Sequence, residues 1–297
     1  MTNRYRDAAA LRRAIEIRLA REASDGGADL ARRRRLVVFD RVAARLSTDP
    51  AGGWVLKGGA ALEFRLGGRA RTTKDMDLAA APDAESQLAG TTIRELLIEA
   101  LAIDEDRDGF RFQVSTPVEL QPDTAGRAGY RFSVESRLAG KPFATIRMDV
   151  VLRGEEISRT ERLPLPNPLE FAGVPGRDIE AVDRRQHFAE KLHAFTRDYG
   201  ARPNTRVKDL VDLVLLIESG LTPDDALAQT VGHVFAVRAT HPVPGALPAP
   251  PPNWAESYQE LARGLTDTAP ELRAALGLVR GFWTALEETT NPAEGST

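Results

Sequence analysis

Trp54-Val55-Leu56-Lys57-Gly58-Gly59-Ala60-Ala61-Leu62 and, about sixteen residues past the glycines, Asp75-Met76-Asp77-Leu78-Ala79 are the stretch whose reading decides the fold. Trp54 to Leu56 reads as a short apolar strand that ends at Lys57-Gly58-Gly59, and Ala60 to Leu66 reads as a helix. Paired glycines let a backbone approach a ligand, and the N–H groups at a helix start favour phosphate oxygens. Glycine at a strand-to-helix turn is also common for backbone reasons alone. Asp75 to Ala79 alternates polar and apolar residues, as a strand with one wet face does. Asp75 and Asp77 leave the same face of that strand, while Met76 and Leu78 point into a core. Taken alone, Asp-x-Asp reads as a strand edge bearing solvated acids.

A second strand changes that reading. In Phe143 to Leu152, Ile146, Met148, Val150 and Leu152 share one face, and Arg147 and Asp149 share the other. If the two strands are neighbours, Asp149 joins Asp75 and Asp77 on one polar surface. Three crowded carboxylates repel one another unless a cation neutralises them. Hard ions such as Mg²⁺ (or Mn²⁺) suit a few carboxylates together with substrate phosphates. Two such ions can activate an attacking hydroxyl and stabilise leaving pyrophosphate.

Outward from this centre, residues 7–23 and 30–47 read as amphipathic helices, and a further helix runs from Pro82 to about Ala102. Phe110 to Val114 is a strand, and Tyr130, Phe132, Val134 and Leu138 fall at even positions of another. Ala139-Gly140-Lys141 is a hairpin turn into the strand Phe143 to Leu152. Residues 153–183, rich in Pro and Gly, read as a connector. Helices follow over Arg184–Arg197 and Thr205–Ser219, then a proline-rich loop over 240–253 and a last helix from Pro270 to Glu288. The expected fold class is α/β (α+β): a mixed β-sheet domain with N-terminal helices over residues 1–165 and a helical domain over 166–297.

Composition narrows the chemistry. The 297 residues are 42% hydrophobic and 28% charged, an ordinary globular balance. The absence of cysteine excludes disulfides, thiolate zinc sites, iron–sulfur clusters and a Cys nucleophile. No apolar run approaches the length that spans a bilayer, and the first residues lack a signal-peptide core, so a cytoplasmic protein is expected. With 40 basic and 43 acidic residues, the chain is not a globally basic nucleic-acid binder. Residues 1–50 nevertheless hold 12 Arg against 7 acids, and within them Arg32 to Arg35 reads as a solvated helix face. Only 5 of the 40 basic residues are Lys, and Lys57, Lys74, Lys191 and Lys208 all lie in compact motifs. Lys and Arg differ in shape and hydration, so a chain this rich in Arg keeps Lys where the fork would not fit. Neither a Walker A motif nor G-x-G-x-x-G is present.

Gly-Gly at a helix start followed by Asp-x-Asp on the next strand is similar to the nucleotidyltransferase superfamily with the DNA polymerase β-like fold. Lys57 to Leu62 and Arg71-Thr72-Thr73-Lys74-Asp75-Met76-Asp77-Leu78 resemble, more narrowly, the AbiEii/AbiGii toxins, which include the mycobacterial MenT-type toxins. Glu190-Lys191-Leu192-His193-Ala194 and Arg206-Val207-Lys208-Asp209-Leu210-Val211-Asp212-Leu213 extend the likeness, which spans about residues 50–220. Ala60 departs from the Ser or Thr common after the glycines in the wider superfamily.

The resemblance implies a bilobed nucleotidyltransferase fold and a metal-dependent enzyme that moves NMP from an NTP to an acceptor with release of pyrophosphate. It implies a toxin of a bacterial toxin–antitoxin system that acts on RNA, the tRNA 3′ acceptor end, and blocks translation. A cognate antitoxin encoded nearby is the implied partner. Nucleotidyl transfer to a small molecule or a protein, and a non-catalytic nucleotide-binding module, are the alternatives. Asp75, Asp77 and Asp149 are the expected metal ligands, with Asp149 also a base. Lys57, Gly58 and Gly59 are expected at the triphosphate, joined by Lys191, Asp209 and Arg206 from the two later motifs. Lys191 otherwise reads as a snorkelling lysine, and Asp209 and Asp212 as acids near a helix start. His193 reads as a surface or cap histidine, and Arg65, Arg69 and Arg71 as a basic loop that can meet an RNA backbone. Phosphorylation of Thr72 or Thr73 would put about two negative charges beside the carboxylates.

Overall fold

The computed structural model describes residues 4–26, 29–80, 89–121, 128–152, 155–200 and 204–290. The chain divides into two compact units, one of residues 1–65, 72–153 and 162–181, the other of 66–71, 154–161 and 182–297.

The first unit is a mixed sheet covered by helices. Its strands are β1 (Trp54–Lys57), β2 (Asp75–Ala80), β3 (Phe110–Val114), β4 (Val118–Leu120), β5 (Gly129–Leu138), β6 (Lys141–Leu152), β7 (Thr160–Pro164) and β8 (Asp178–Val182). They run in the order β3-β5-β6-β2-β1-β8-β7, with β4 beside β5. β1 is antiparallel to β2, β2 is parallel to β6, and β6 is antiparallel to β5. Alternation sets the faces: Met76 and Leu78 of β2, Phe132 and Val134 of β5, and Ile146, Met148 and Val150 of β6 are all buried. Helices α1 (Ala8–Gly26), α2 (Leu30–Ser47) and α4 (Gly90–Ala102) supply Leu11, Ile15, Val38, Val42, Ile93 and Leu97 to the same core. The first seven or so residues expected for α4's helix, from Pro82, lie outside the described residues.

The run expected as a connector over 153–183 contains β7 and β8, and β8 pairs in parallel with β1 at Leu56 and Ala181. Pro166, Pro168, Gly173, Pro175 and Gly176 sit between the two strands, where they hid the alternation of Ile179 and Ala181. Arg32, Arg33 and Arg34 do not form a solvated face. They pair with Glu63, Glu22 and Glu16, at 2.8, 2.9 and 2.6 Å, and so fasten α2 to its neighbours.

A second ionic cluster is buried in this unit. Arg41 Nε donates to Asp40 at 2.8 Å and Arg41 Nη1 to Asp106 at 3.2 Å, and Arg45 Nη2 pairs with Asp104 at 2.8 Å. Arg41, Asp40 and Asp108 are all fully buried, so the cluster holds α2 to the loop after α4 through ion pairs out of reach of solvent.

The second unit is helical: α5 (Arg184–Thr196), α6 (Val207–Glu218), α7 (Asp225–Arg238), α8 (Trp254–Ala262) and α9 (Leu272–Thr290). Asp183 caps α5 by accepting from Gln186 N–H, and Asp224 caps α7 by accepting from Leu227 N–H. Phe188, Leu192 and Phe195 of α5 and Leu210, Leu213 and Val214 of α6 are buried, as their spacing requires. Helices α7 and α8 were not anticipated.

Candidate active site

The sheet register of the first unit places chemistry-bearing residues in a row. Lys57 is paired with Asp77, Asp77 with Asp149, and Asp149 with Arg131, across β1, β2, β6 and β5. Partners in register send their side chains to the same face. The row therefore reads cation, anion, anion, cation. In the neighbouring row Asp75 is paired with Arg147.

Gly58 follows Lys57 and begins the helix α3 (Gly58–Leu66), with φ +58°. A Cβ there would lie 1.9 Å from Asp77 Oδ2. The glycine is thus required twice, by the left-handed backbone and by the carboxylate lying against it. The strand–glycine–helix turn and the Asp-x-Asp strand meet at this point, at Gly58 and Asp77.

The segment leading into β2 is fixed from α3. Glu63 is almost fully buried. It accepts from Arg32 Nη2 at 2.8 Å and from the Thr73 N–H, and burial pushes its carboxyl above the ordinary range. Thr73 Oγ1 donates to the Asp75 carbonyl at 3.1 Å. Thr73 is buried and Thr72 exposed, so of the two hydroxyls only that of Thr72 is accessible to modification.

Guanidinium groups neutralise two of the carboxylates. Arg131 Nε and Nη2 donate to Asp149 Oδ1 and Oδ2, both at 2.7 Å, a bidentate pair. Arg147 Nε donates to Asp75 Oδ1 at 2.6 Å. The hydrogen bond to Asp149, and after it the charges of Asp149, Asp75 and Asp77, hold Arg131 above the usual guanidinium range. Among the described residues, no three acidic or imidazole groups stand together as a metal cluster. The face still suits a hard cation. Its three carboxylates face three cations, Lys57, Arg131 and Arg147, which a divalent ion would have to displace in part, and Asp77 is lodged where only glycine leaves room. Asp75 and Asp77 fit as holders, whereas both oxygens of Asp149 are engaged by Arg131.

The second unit carries its own charged cluster. Lys191 Nζ lies 3.0 Å from Asp209 Oδ1 and 2.8 Å from Asp212 Oδ2. Arg71 Nε and Nη2 clasp the two oxygens of Asp212, each at 2.7 Å. Burial works against the Lys191 charge, but Asp212 and Asp209 outweigh it and raise its pKa. Burial likewise opposes the Asp212 charge, and Lys191 and Arg71 overcome it, so that carboxyl titrates low. Lys191 is therefore no snorkelling lysine but the centre of a buried ionic knot. Arg71 is equally committed and is no RNA-facing loop residue. Arg206, half exposed, stands 3.8 Å from Asp209 and stacks its guanidinium over Tyr199.

His193 is buried, against the expectation of a surface or cap residue. Its Nε2 is 2.8 Å from Thr240 Oγ1 and its Nδ1 3.2 Å from Arg238, and its ring packs against Phe235 and His241. Burial first, and then Arg238, pull its pKa down to about 3. A histidine held neutral among these partners serves packing of α5 on α7.

Sequence reasoning missed Arg131 and Glu63, and gave Arg147 a face but no role. Arg131 occupies an odd position of a strand whose even positions were read as core, which was the available signal.

A family model described as "Nucleotidyl transferase AbiEii toxin, Type IV TA system" matches residues 43–288. The chain belongs to this family of nucleotidyltransferase toxins. A search of curated proteins finds no match. Among solved structures, a Helicobacter pylori protein titled as a nucleotidyltransferase is similar at 13% identity and a TM-score of 0.45, covering 90% of this chain and 100% of its own. JHP933 from Helicobacter pylori is similar at 13% identity and a TM-score of 0.42, covering 87% and 92%. Among the described residues, no helix is long and apolar enough to cross a membrane.

Proposed function

We propose that this chain transfers NMP from an NTP to RNA, at the tRNA 3′ acceptor end, releasing pyrophosphate and blocking translation in the cytoplasm until an antitoxin protein encoded nearby restrains it. The observation that carries the reading is the contact of Gly58 with Asp77, which puts a phosphate-favouring turn against the acidic strand. Membership of the AbiEii family supports transfer of a nucleotidyl group and the existence of an antitoxin.

In this reading the acceptor hydroxyl forms a new bond to the α-phosphorus. The bond from that phosphorus to the pyrophosphate oxygen breaks, and the hydroxyl proton passes to a carboxylate of the Asp75–Asp77–Asp149 face, Asp149 being the proposed base. Asp75 and Asp77, with Asp149 when it is released from Arg131, would hold Mg²⁺ or Mn²⁺, which supplies neutralisation of charge on the phosphoryl oxygens. Lys57, Gly58 and Gly59 receive the triphosphate through the ammonium and the backbone N–H groups at the start of α3. In the second unit Lys191 and Asp209 are bound to each other as an ion pair, and Arg206 carries accessible positive charge.

Incubation of the purified chain with labelled NTPs and total RNA tests this. Label in the tRNA band is expected, and Asp77→Ala abolishes it. Label in protein or in a small acceptor replaces RNA as the substrate class. NTP binding without transfer makes the chain a binding module and refutes the enzyme reading.

A further inference from the structure

Arg131, like Arg147, is a residue of the acidic face that neither motif nor family description assigns. It sits on β5, two strands away from Asp77, and spends both donors of one edge of its guanidinium on Asp149. Its side chain remains well exposed, and that of Asp149 is partly exposed. The pair is therefore open to exchange of partners, unlike the buried knot around Lys191. Two facts follow from the geometry. A carboxylate with both oxygens hydrogen-bonded to a guanidinium has little left to offer a metal ion. A guanidinium is also the side-chain fork best matched to phosphate oxygens. The opposite end of the same row is Lys57, beside the glycine turn, so the acidic pair is bracketed by one cation at each end.

We propose that Arg131 is a dual-use cation: it occupies Asp149 while no divalent ion is bound and, once released, binds the triphosphate of the incoming NTP. This rests on the reading of the Asp75–Asp77–Asp149 face as the metal and nucleotide site. Arg131 and a divalent ion then compete for Asp149, whereas Arg131 and the NTP cooperate. Loss of Arg131 strengthens ion binding to the nucleotide-free protein and weakens NTP binding. A guanidinium that merely orients Asp149 predicts the opposite sign for the ion, since its removal frees the ligand to wander.

The test measures Mn²⁺ binding, by electron paramagnetic resonance of the free ion without NTP, in the parent chain, Arg131→Gln, Arg131→Met and Asp77→Ala. The KM for NTP is measured in the two Arg131 variants. Circular dichroism establishes that each is folded, and having two side chains at position 131 guards against one that folds poorly. The expected result is Mn²⁺ binding about 3- to 10-fold tighter in both Arg131 variants, with KM raised about 10-fold. Unchanged or weaker Mn²⁺ binding in folded Arg131 variants overturns the proposal. If Asp77→Ala still abolishes binding in that case, the metal-site reading stands without it. Absence of Mn²⁺ binding in the parent and both Arg131 variants overturns the proposal and the site reading together.

Discussion

Gly58→Ala is the substitution that separates the backbone requirement of the glycine turn from its role at the carboxylate. At φ +58° an L-residue costs about 1–2 kcal/mol more than glycine. In a unit of this size that lowers Tm by roughly 2–8 °C. The added methyl would also stand 1.9 Å from Asp77 Oδ2. Ordinary carbon–oxygen contact begins above 3 Å, so the carboxylate must retreat by about 1 Å, a displacement that costs on the order of 100-fold in rate where a reacting group is concerned. Gly140→Ala is the matched control. Gly140 also has positive φ, at +72°, but nothing lies within 4 Å of a Cβ built there. It incurs the same backbone cost and no collision. The expected outcome is a comparable fall in Tm for both variants, read by circular dichroism, and loss of labelled-nucleotide transfer in Gly58→Ala alone. Transfer within about 3-fold of the parent in Gly58→Ala would refute the argument that this glycine exists to seat Asp77. Equal loss in both variants would refute it as well.

Arg41→Met should destabilise the sheet unit by about 3–5 kcal/mol in urea titration, because it strands Asp40 in the interior and leaves Asp108 to Arg45 alone; a loss under about 1 kcal/mol would mean those acids are neutral in the folded chain. Burial pushes both carboxyls upward, so the effect should shrink as the pH is lowered and they take up protons. His193 predicts a distinct pH dependence: its folded pKa of about 3 lies below the ordinary 6.5, so the unfolded chain binds the extra proton, and stability is full above pH 6.5 and falls as pH drops toward 3. The slope is about 1.4 kcal/mol per pH unit at its steepest; His193→Asn should flatten it, and an unchanged slope would move the cause elsewhere.

What was legible in the sequence was local. The spacing of Asp75 and Asp77 fixed their common side, and the spacing of Asp209 and Asp212 fixed theirs, because a strand repeats every two residues and a helix face every three or four. The helical register also located Phe188, Leu192 and Phe195. Contacts between distant segments were not legible. That Asp212 would be clasped by Arg71, 141 residues away, has no signature in either motif. Nor does the choice between a solvated arginine run and three ion pairs, which depends on where Glu16, Glu22 and Glu63 come to rest. The strands β7 and β8 failed for a different reason: each is short, and the prolines between them dominate any composition window.

Arg131 shows how fine the missing information can be. The hairpin turn was expected at Ala139-Gly140-Lys141; in the structure only Ala139 and Gly140 form the loop, and Leu138 pairs with Lys141 and Arg137 with Pro142. Carried on without interruption, that register would set Arg131 opposite Met148, a core residue. The structure instead has a bulge between Ser136 and Arg137, after which the pairing slips by one and Arg131 meets Asp149. A slip of one residue moves every side chain of a strand relative to its neighbour's faces. The trace of the bulge in the sequence is the break in phase between Phe143 and Ile146, both buried although one is odd-numbered and the other even. An unbroken strand cannot bury both on one face; Phe143 is the extra residue, passed over between the pairs Arg137–Pro142 and Ser136–Ala144, and its insertion delivers a guanidinium to the acidic row.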